Sequence, residues 1–172
     1  RAGDLQRMLD DRTVKAVIFY KGGYGAIRTL DYLNLGVLRE HPKWLVGYSD
    51  ITTMHYALRK IGVESIHGPM PTDLACDTVR CASSLLSSVR DALWGRVTAY
   101  HTPPHTLNSM GTARGRLTGG NLSLIYALNG TDIDNTFDEP SVLLIEDVAE
   151  NIYHIDRMLQ TLKRSGKLER LK

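Results

Sequence analysis

The chain has 172 residues, 42% of them hydrophobic and 23% charged, which is enough apolar material for one large domain or two small ones. A formal net charge of +2 gives no electrostatic footprint for nucleic acid, and two cysteines without C-x-x-C spacing are too few for a disulfide framework and fit a reducing compartment. No apolar run reaches the length of a membrane span, and no signal-peptide core opens the chain.

The chain starts without Met and inside a helical pattern, Asp4 to Leu9, so a longer protein around it is expected. Val14 to Tyr20 is a nearly unbroken apolar run, which predicts a parallel strand covered on both faces. It ends in Lys21-Gly22-Gly23-Tyr24-Gly25, after which Ala26, Ile27, Leu30 and Leu33 supply a helical face. Trp44 to Val46 is a second short strand. It stops at Gly47, and past Tyr48 and Ser49 a helical pattern opens at Asp50 and runs through Met54, Ala57, Leu58 and Ile61. Two strand–glycine turn–helix units in succession predict an α/β layer with a parallel sheet. Ligands of such sheets sit beyond the carboxyl ends of the strands, so the two turns are expected to face one crevice.

Val63 to Ile66 reads as a third strand, His67-Gly68-Pro69-Met70-Pro71 as a constrained loop, and Thr78 to Leu93 as a helix turning Val79, Leu85, Leu86, Val89 and Leu93 inward. Residues 98–112, with two prolines and two histidines, form a connector. The predicted organisation is therefore an α/β domain over 1–97, the connector, and the start of a smaller α/β domain over 113–172. In the latter, Ala113 to Thr118 is a strand ended by Gly119-Gly120-Asn121. A helix through Leu122, Ile125 and Leu128 closes at Asn129-Gly130. Ser141 to Ile145 is a strand ending in Glu146-Asp147, and Ile152, Ile155, Met158, Leu159 and Leu162 line an amphipathic helix stopped by Gly166.

Ser49 stands at a sharp strand-to-helix turn, where a hydroxyl is held out beside the free N–H groups of a helix start. That is the arrangement of a nucleophile elbow, although Asp50 and Ile51 replace the end of the usual G-x-S-x-G. The alternative is that Ser49 or Asp50 merely caps the helix. Gly22-Gly23-Tyr24-Gly25 lets the backbone approach a ligand closely with its amides aimed at an anion. It matches neither a Walker loop nor G-x-G-x-x-G, so it is either a tight turn or part of an oxyanion hole complementing the amide after Ser49.

A serine nucleophile needs a base, commonly a histidine oriented by a carboxylate. Of the six histidines, His41, His101 and His105 fall in surface loops and His55 in a packed or capping position. His67 faces either the crevice or its own rigid loop, and His154 lies on the last amphipathic helix. None is placed by the sequence as the partner of Ser49. Glu146 ends an apolar strand, at the rim of a sheet, where an acid can orient an imidazole. Asp147 and Glu150 are close rivals, and Asp50 is expected to cap its own helix. No cluster has zinc spacing, so no metal is expected.

Four motifs, taken together, resemble the LD-carboxypeptidase family of serine peptidases, a group that includes microcin-C-degrading immunity proteins. They are Lys21-Gly22-Gly23-Tyr24-Gly25 with Arg28; Gly47-Tyr48-Ser49-Asp50-Ile51-Thr52; Gly119-Gly120-Asn121-Leu122; and Leu144-Ile145-Glu146-Asp147 with Glu150, Tyr153, Ile155, Asp156 and Arg157. His67-Gly68-Pro69-Met70 adds to the match. The resemblance implies a flavodoxin-like (class I glutamine-amidotransferase-like) N-terminal domain, a smaller α/β C-terminal domain, and an active site between them. It implies a Ser–His–Glu triad with Ser49 as nucleophile, Glu146 as the acid, and an oxyanion hole from the backbone N–H of Asp50 and Gly23. Gly22, Tyr24 and Asn121 are the implied substrate-binding candidates.

The implied reaction is hydrolysis of the bond to terminal D-alanine in murein tetrapeptides, a cytoplasmic step of peptidoglycan recycling that needs no cofactor. A homodimer is compatible with the family, and no sequence feature shows one. The family's catalytic histidine lies well downstream of the Glu-Asp motif, so it is expected beyond Lys172 and the 172 residues alone are expected to be inactive. Lys21 also stands where family members usually have Arg, which keeps the charge and loses the planar fork. Two other functions fit the same crevice: hydrolysis of microcin-type peptidyl-nucleotides, and binding of a D-amino-acid peptide without cleavage.

Overall fold

A computed structural model describes residues 1–75, 79–96, 99–134 and 140–171; Cys76, Thr78 and the side chains of Val79 and Cys81 lie outside that description. In chain order the elements are α1 (Ala2–Asp10), β1 (Ala16–Ile18), α2 (Ala26–Leu30), α3 (Val37–Glu40), β2 (Trp44–Gly47), α4 (Thr52–Lys60), β3 (Ile66–His67), α5 (Val79–Leu93), β4 (Arg116–Asn121), α6 (Leu122–Ala127), β5 (Ser141–Glu146) and α7 (Ile152–Arg164). A single 3₁₀ turn, Ser49–Ile51, joins β2 to α4.

Both sheets are parallel, as the strand–turn–helix order predicts. One runs β1-β2-β3 and the other pairs β4 with β5. In the first, Ile18 pairs with Val46 and Gly47 with His67, so the three carboxyl ends share one edge. In the second, Gly120 pairs with Ile145 and Asn121 with Glu146. The motif residues of each sheet therefore lie at the edge where an α/β sheet binds its ligands.

Two apolar clusters hold these layers. Leu9, Leu38, Leu45, Met54 and Leu58 form the heart of the first, between the β1-β2-β3 sheet and helices α1, α3 and α4. The second joins Leu122, Ile125 and Leu128 to Met158 and Leu162, and it takes in Tyr56 from α4, with Ile27 packed against it. Helix α4 thus has apolar side chains in both clusters, which is why all seven residues from Thr52 to Leu58 are buried. Serving two cores removes most of the polar face that a surface helix would show.

Several elements are shorter or less covered than their sequence predicts. The run Val14 to Tyr20 yields only a three-residue strand, and it is not covered on both faces: Val17 is buried while Ile18 is 44% exposed. The third strand starts at Ile66 and includes His67, which the sequence assigns to the following loop. Leu86 on α5 and Ile152 in the first turn of α7 point outward. On α7 the packed stripe is Ile155, Met158, Leu159 and Leu162, spaced i, i+3, i+4, i+7, and Ile152 lies one turn before it. No described helix is long and apolar enough to cross a membrane.

Candidate active site

Ser49 has φ 60, the left-handed region that residues other than glycine rarely occupy. Tyr48 before it is extended, at φ −144 and ψ −170, and the 3₁₀ turn begins at once. The reversal brings Ile51 back over Gly47, where an added β-carbon would stand 3.0 Å from the Ile51 side chain. A side chain there would have to push Ile51 aside by a few tenths of an ångström. Holding a serine in this conformation costs about 1–3 kcal/mol, a form of strain that clusters at active sites. The cap positions of the 3₁₀ turn and of α4 are held by Tyr48 and Ile51, and among the described residues no side-chain hydrogen bond involves the Ser49 hydroxyl. That removes the cap alternative for Ser49.

The expectation for Asp50 is overturned. Its carboxylate does not cap its own helix; Oδ2 accepts the backbone N–H of Ala26 at 2.9 Å, in a buried hydrogen bond. Asp50 thereby fastens the first residue of α2, and with it the glycine turn, to the serine turn.

The two turns do face each other. A β-carbon placed on Gly22 would lie 3.0 Å from Ser49 Cβ, 3.1 Å from Ser49 Oγ and 3.7 Å from the Asp50 nitrogen. Gly22 is thus the member of the glycine turn that meets the serine, and its missing side chain keeps the hydroxyl clear. Gly23 has φ 128 and Gly25 φ 113, so the turn uses conformations open chiefly to glycine. Tyr24 is exposed, with the Arg28 guanidinium 5.2 Å from its ring centroid.

The second sheet joins the first through Thr52 and Asn121. Thr52 Oγ1 accepts the Asn121 backbone N–H at 3.0 Å, and a β-carbon on Gly120 would come within 2.7 Å of the Thr52 side chain. Asn121 then caps α6, its Oδ1 accepting the Leu124 N–H at 3.2 Å, while its Nδ2 donates to Asp147 Oδ1 at 3.2 Å. The sequence reads Gly119-Gly120-Asn121 as the end of a strand and as one of the four motifs, and the structure includes all three in β4. Its packing against the nucleophile helix has no local signal, because the partner is Thr52, far away in sequence.

The three candidate acids separate clearly. Asp147 is consumed by structure: Oδ2 accepts the Ser123 amide at 2.9 Å and its hydroxyl at 2.6 Å. Burial alone would raise its pKa, but the bonds from Ser123, Val148 and Asn121 outweigh burial and hold it below the usual carboxylate range. Glu150 binds His154 Nδ1 at 2.9 Å. Glu146 is different. Its Oε1 is buried without a hydrogen-bond partner, and burial raises its pKa, with Asn121 opposing and Asp147 adding to the rise.

Facing that oxygen is His67, whose Nε2 lies 3.9 Å from Glu146 Oε1 and whose Nδ1 is likewise buried and unpartnered. Burial lowers the His67 pKa, so the contact is not an ion pair at neutral pH. Each unpaired buried polar atom costs about 1–3 kcal/mol, and such atoms call for an explanation in use rather than in packing. His55 is in the opposite condition. Nε2 donates to Gly47 O at 2.9 Å and Nδ1 accepts from the Ser65 hydroxyl at 2.8 Å. Its packed role agrees with the sequence reading. Among the described residues no imidazole is hydrogen-bonded to Ser49 Oγ, and no group of three metal-ligating side chains occurs.

Comparison with known proteins matches this chain to one family. The LD-carboxypeptidase N-terminal domain matches residues 1–68 and the LD-carboxypeptidase C-terminal domain residues 114–172. The probable murein peptide carboxypeptidase of Bacillus subtilis is 39% identical, over 98% of this chain and 53% of its own length. The murein tetrapeptide carboxypeptidase of Pseudomonas aeruginosa is 32% identical, over 96% and 56%. The crystal structure of muramoyltetrapeptide carboxypeptidase from Oxalobacter formigenes superposes with a TM-score of 0.83 at 28% identity, covering 99% of this chain and 58% of that one. The microcin C7 self-immunity protein shares the fold at 19% identity and a TM-score of 0.82, over 99% and 59%. The chain spans about half the length of the curated relatives it matches.

Proposed function

The chain belongs to the LD-carboxypeptidase family, and from that premise we propose that it carries the nucleophile and the acid of a serine-type murein peptide carboxypeptidase. The observation that carries this reading is Ser49, held at φ 60 with its hydroxyl unspent and Gly22 pressed against it. Ser49 Oγ attacks the carbonyl carbon of the bond to a terminal D-alanine. Its proton passes to an imidazole base and then to the departing amine, and water afterwards hydrolyses the acyl-enzyme. The backbone N–H groups of Asp50 and Gly23 receive the oxyanion, each such donor being worth about 10²–10³ in rate. Gly22, Tyr24 and Asn121 line the substrate's approach.

Glu146 orients the imidazole. It is the acid with an uncommitted buried oxygen, whereas Asp147 and Glu150 are engaged. The imidazole itself comes from outside these 172 residues, as the family resemblance implies, so the chain assayed alone is nearly inactive. The domain division at 98–112 is supported by the continuous exposure of the described residues there. On this reading the reaction belongs to cytoplasmic peptide recycling and uses no cofactor. Murein tetrapeptide is preferred over a peptidyl-nucleotide because two relatives above 30% identity are named for murein peptides, whereas the microcin C7 self-immunity protein is 19% identical.

The test is D-alanine release from murein tetrapeptide by the full gene product. Ser49→Ala abolishes it, and unchanged turnover overturns the nucleophile. Glu146→Gln slows it strongly without loss of fold. A larger effect from Glu150→Gln means that the acid is Glu150 instead.

A further inference from the structure

His67 and Glu146 approach each other from different sheets. His67 ends β3, in register with Gly47, two residues before the nucleophile. Glu146 ends β5, in register with Asn121, whose own backbone is bonded to Thr52. The pair therefore spans the junction between the two halves of the crevice. Both facing groups are sheltered, with relative exposures of 25% and 34% for the two side chains.

The His67 ring has little freedom. It is set between Tyr48, at 6.1 Å between centroids, and His55, at 5.8 Å. Each of those neighbours is itself anchored: Tyr48 Oη donates to Asp73 at 2.9 Å, and both nitrogens of His55 are bonded. At 3.9 Å the Nε2 to Oε1 separation is too long for a hydrogen bond but closes with a movement of about 1 Å. Catalytic hydrogen bonds are often long in the free enzyme and tighten when substrate binds.

We propose that His67 is a positioning residue for Glu146: the neutral imidazole donates Nε2–H to Oε1, fixing the carboxylate so that its other oxygen receives the catalytic imidazole. The proposal rests on the assignment of Glu146 as the acid. It gives the buried, unpaired Oε1 of Glu146 a donor. His67 has no part in proton transfer with the substrate. Its effect reaches the reaction through Glu146 alone.

A double-mutant cycle on the full gene product tests this. His67→Phe keeps the ring and removes the donor; His67→Gln returns an N–H near the position of Nε2. His67→Phe is expected to lower kcat about tenfold with KM changed by less than about twofold, and His67→Gln to restore most of the loss. In a Glu146→Gln background His67→Phe should cost nothing further, since the carboxylate it positions is gone. Full additivity of the two changes overturns the proposal, as does a wild-type kcat for His67→Phe. So does a His67→Gln enzyme as inactive as Ser49→Ala, which makes His67 the base itself. A silent Glu146→Gln refutes the assignment of the acid instead. Thermal melts of all variants separate misfolding from these outcomes, and Gln carries the test where Phe does not fold.

Discussion

Gly22 and Ser49 touch across the crevice: a β-carbon on the glycine would sit 3.1 Å from the serine hydroxyl oxygen. The φ of Gly22 is not in the left-handed region, so its backbone accepts alanine and Ser49 alone opposes it. Gly22→Ala should displace the hydroxyl by a few tenths of an ångström and lower kcat at least about tenfold, since misplacement by 1 Å can cost about 10²-fold. The melting temperature should move little. Activity within about twofold of wild type would mean that the contact does not set the nucleophile's position.

The strain at Ser49 makes a second expectation. Ser49→Ala and Ser49→Gly both remove the nucleophile, but only glycine relieves φ 60. The glycine variant should be the more stable of the two by about 1 kcal/mol, the lower end of the cost of a left-handed non-glycine residue. Comparing urea midpoints of the two variants measures the difference directly. Equal midpoints would show that the turn stores no strain.

Asp50 ties the two turns together, and the bond to Ala26 is buried. Asp50→Ala leaves that amide unpaired and should cost about 1.5–3 kcal/mol, the range for hydrogen bonds to charged groups. Asp50→Asn retains an acceptor oxygen and should cost less. Because the glycine turn is released with the bond, kcat should fall further in the alanine variant than in the asparagine one. The reverse order would assign Asp50 no role in holding the turn.

How much of this was legible beforehand follows from where each partner lies in the chain. The parallel α/β class, the carboxyl-edge position of Gly22–Gly25 and Ser49, and the strand-end placing of Glu146 all come from local pattern, and the structure agrees. The use made of Asp50 is not local. A residue one step past a turn reads as a cap, and only the packing of α2 on α4 offers it Ala26 instead. The same holds for Thr52 and Asn121, joined by one hydrogen bond across 69 residues. The first and third strands are shorter than their apolar runs predict, because an apolar run such as Val14 to Tyr20 does not show where its pairing partner lies: β1 pairs with β2 only from Ala16 to Ile18.

Thr52 offers a fourth test. Thr52→Val keeps the shape and removes the acceptor for the buried Asn121 N–H, which should cost about 1–3 kcal/mol. Gly120→Ala attacks the same contact sterically, since its β-carbon would stand 2.7 Å from Thr52 in a backbone conformation of φ 134. It should be the more damaging of the two, with loss of activity and stability together. If Thr52→Val is neutral in denaturant unfolding, the bond between the halves carries no net stability.

The last expectation concerns acid. His55 is 8% exposed, and burial chiefly lowers its pKa from 6.5 to about 4, the bond to Gly47 opposing and His67 adding to the fall. Unfolding frees the ring to take up a proton at any pH below 6.5, while the folded ring resists until about pH 4. The unfolded state therefore binds more protons in that window, and stability is lost as pH falls through it. The shift corresponds to at most about 3 kcal/mol. His67, also lowered by burial, acts in the same direction. Glu146, raised by burial, acts in the opposite one and blunts the loss. Urea unfolding at pH 7, 5.5 and 4.5 should show a progressive fall in stability. His55→Gln should start less stable, having lost a fitted imidazole, yet show a flatter dependence across the same range. A variant as acid-sensitive as wild type would exclude His55 as the principal source.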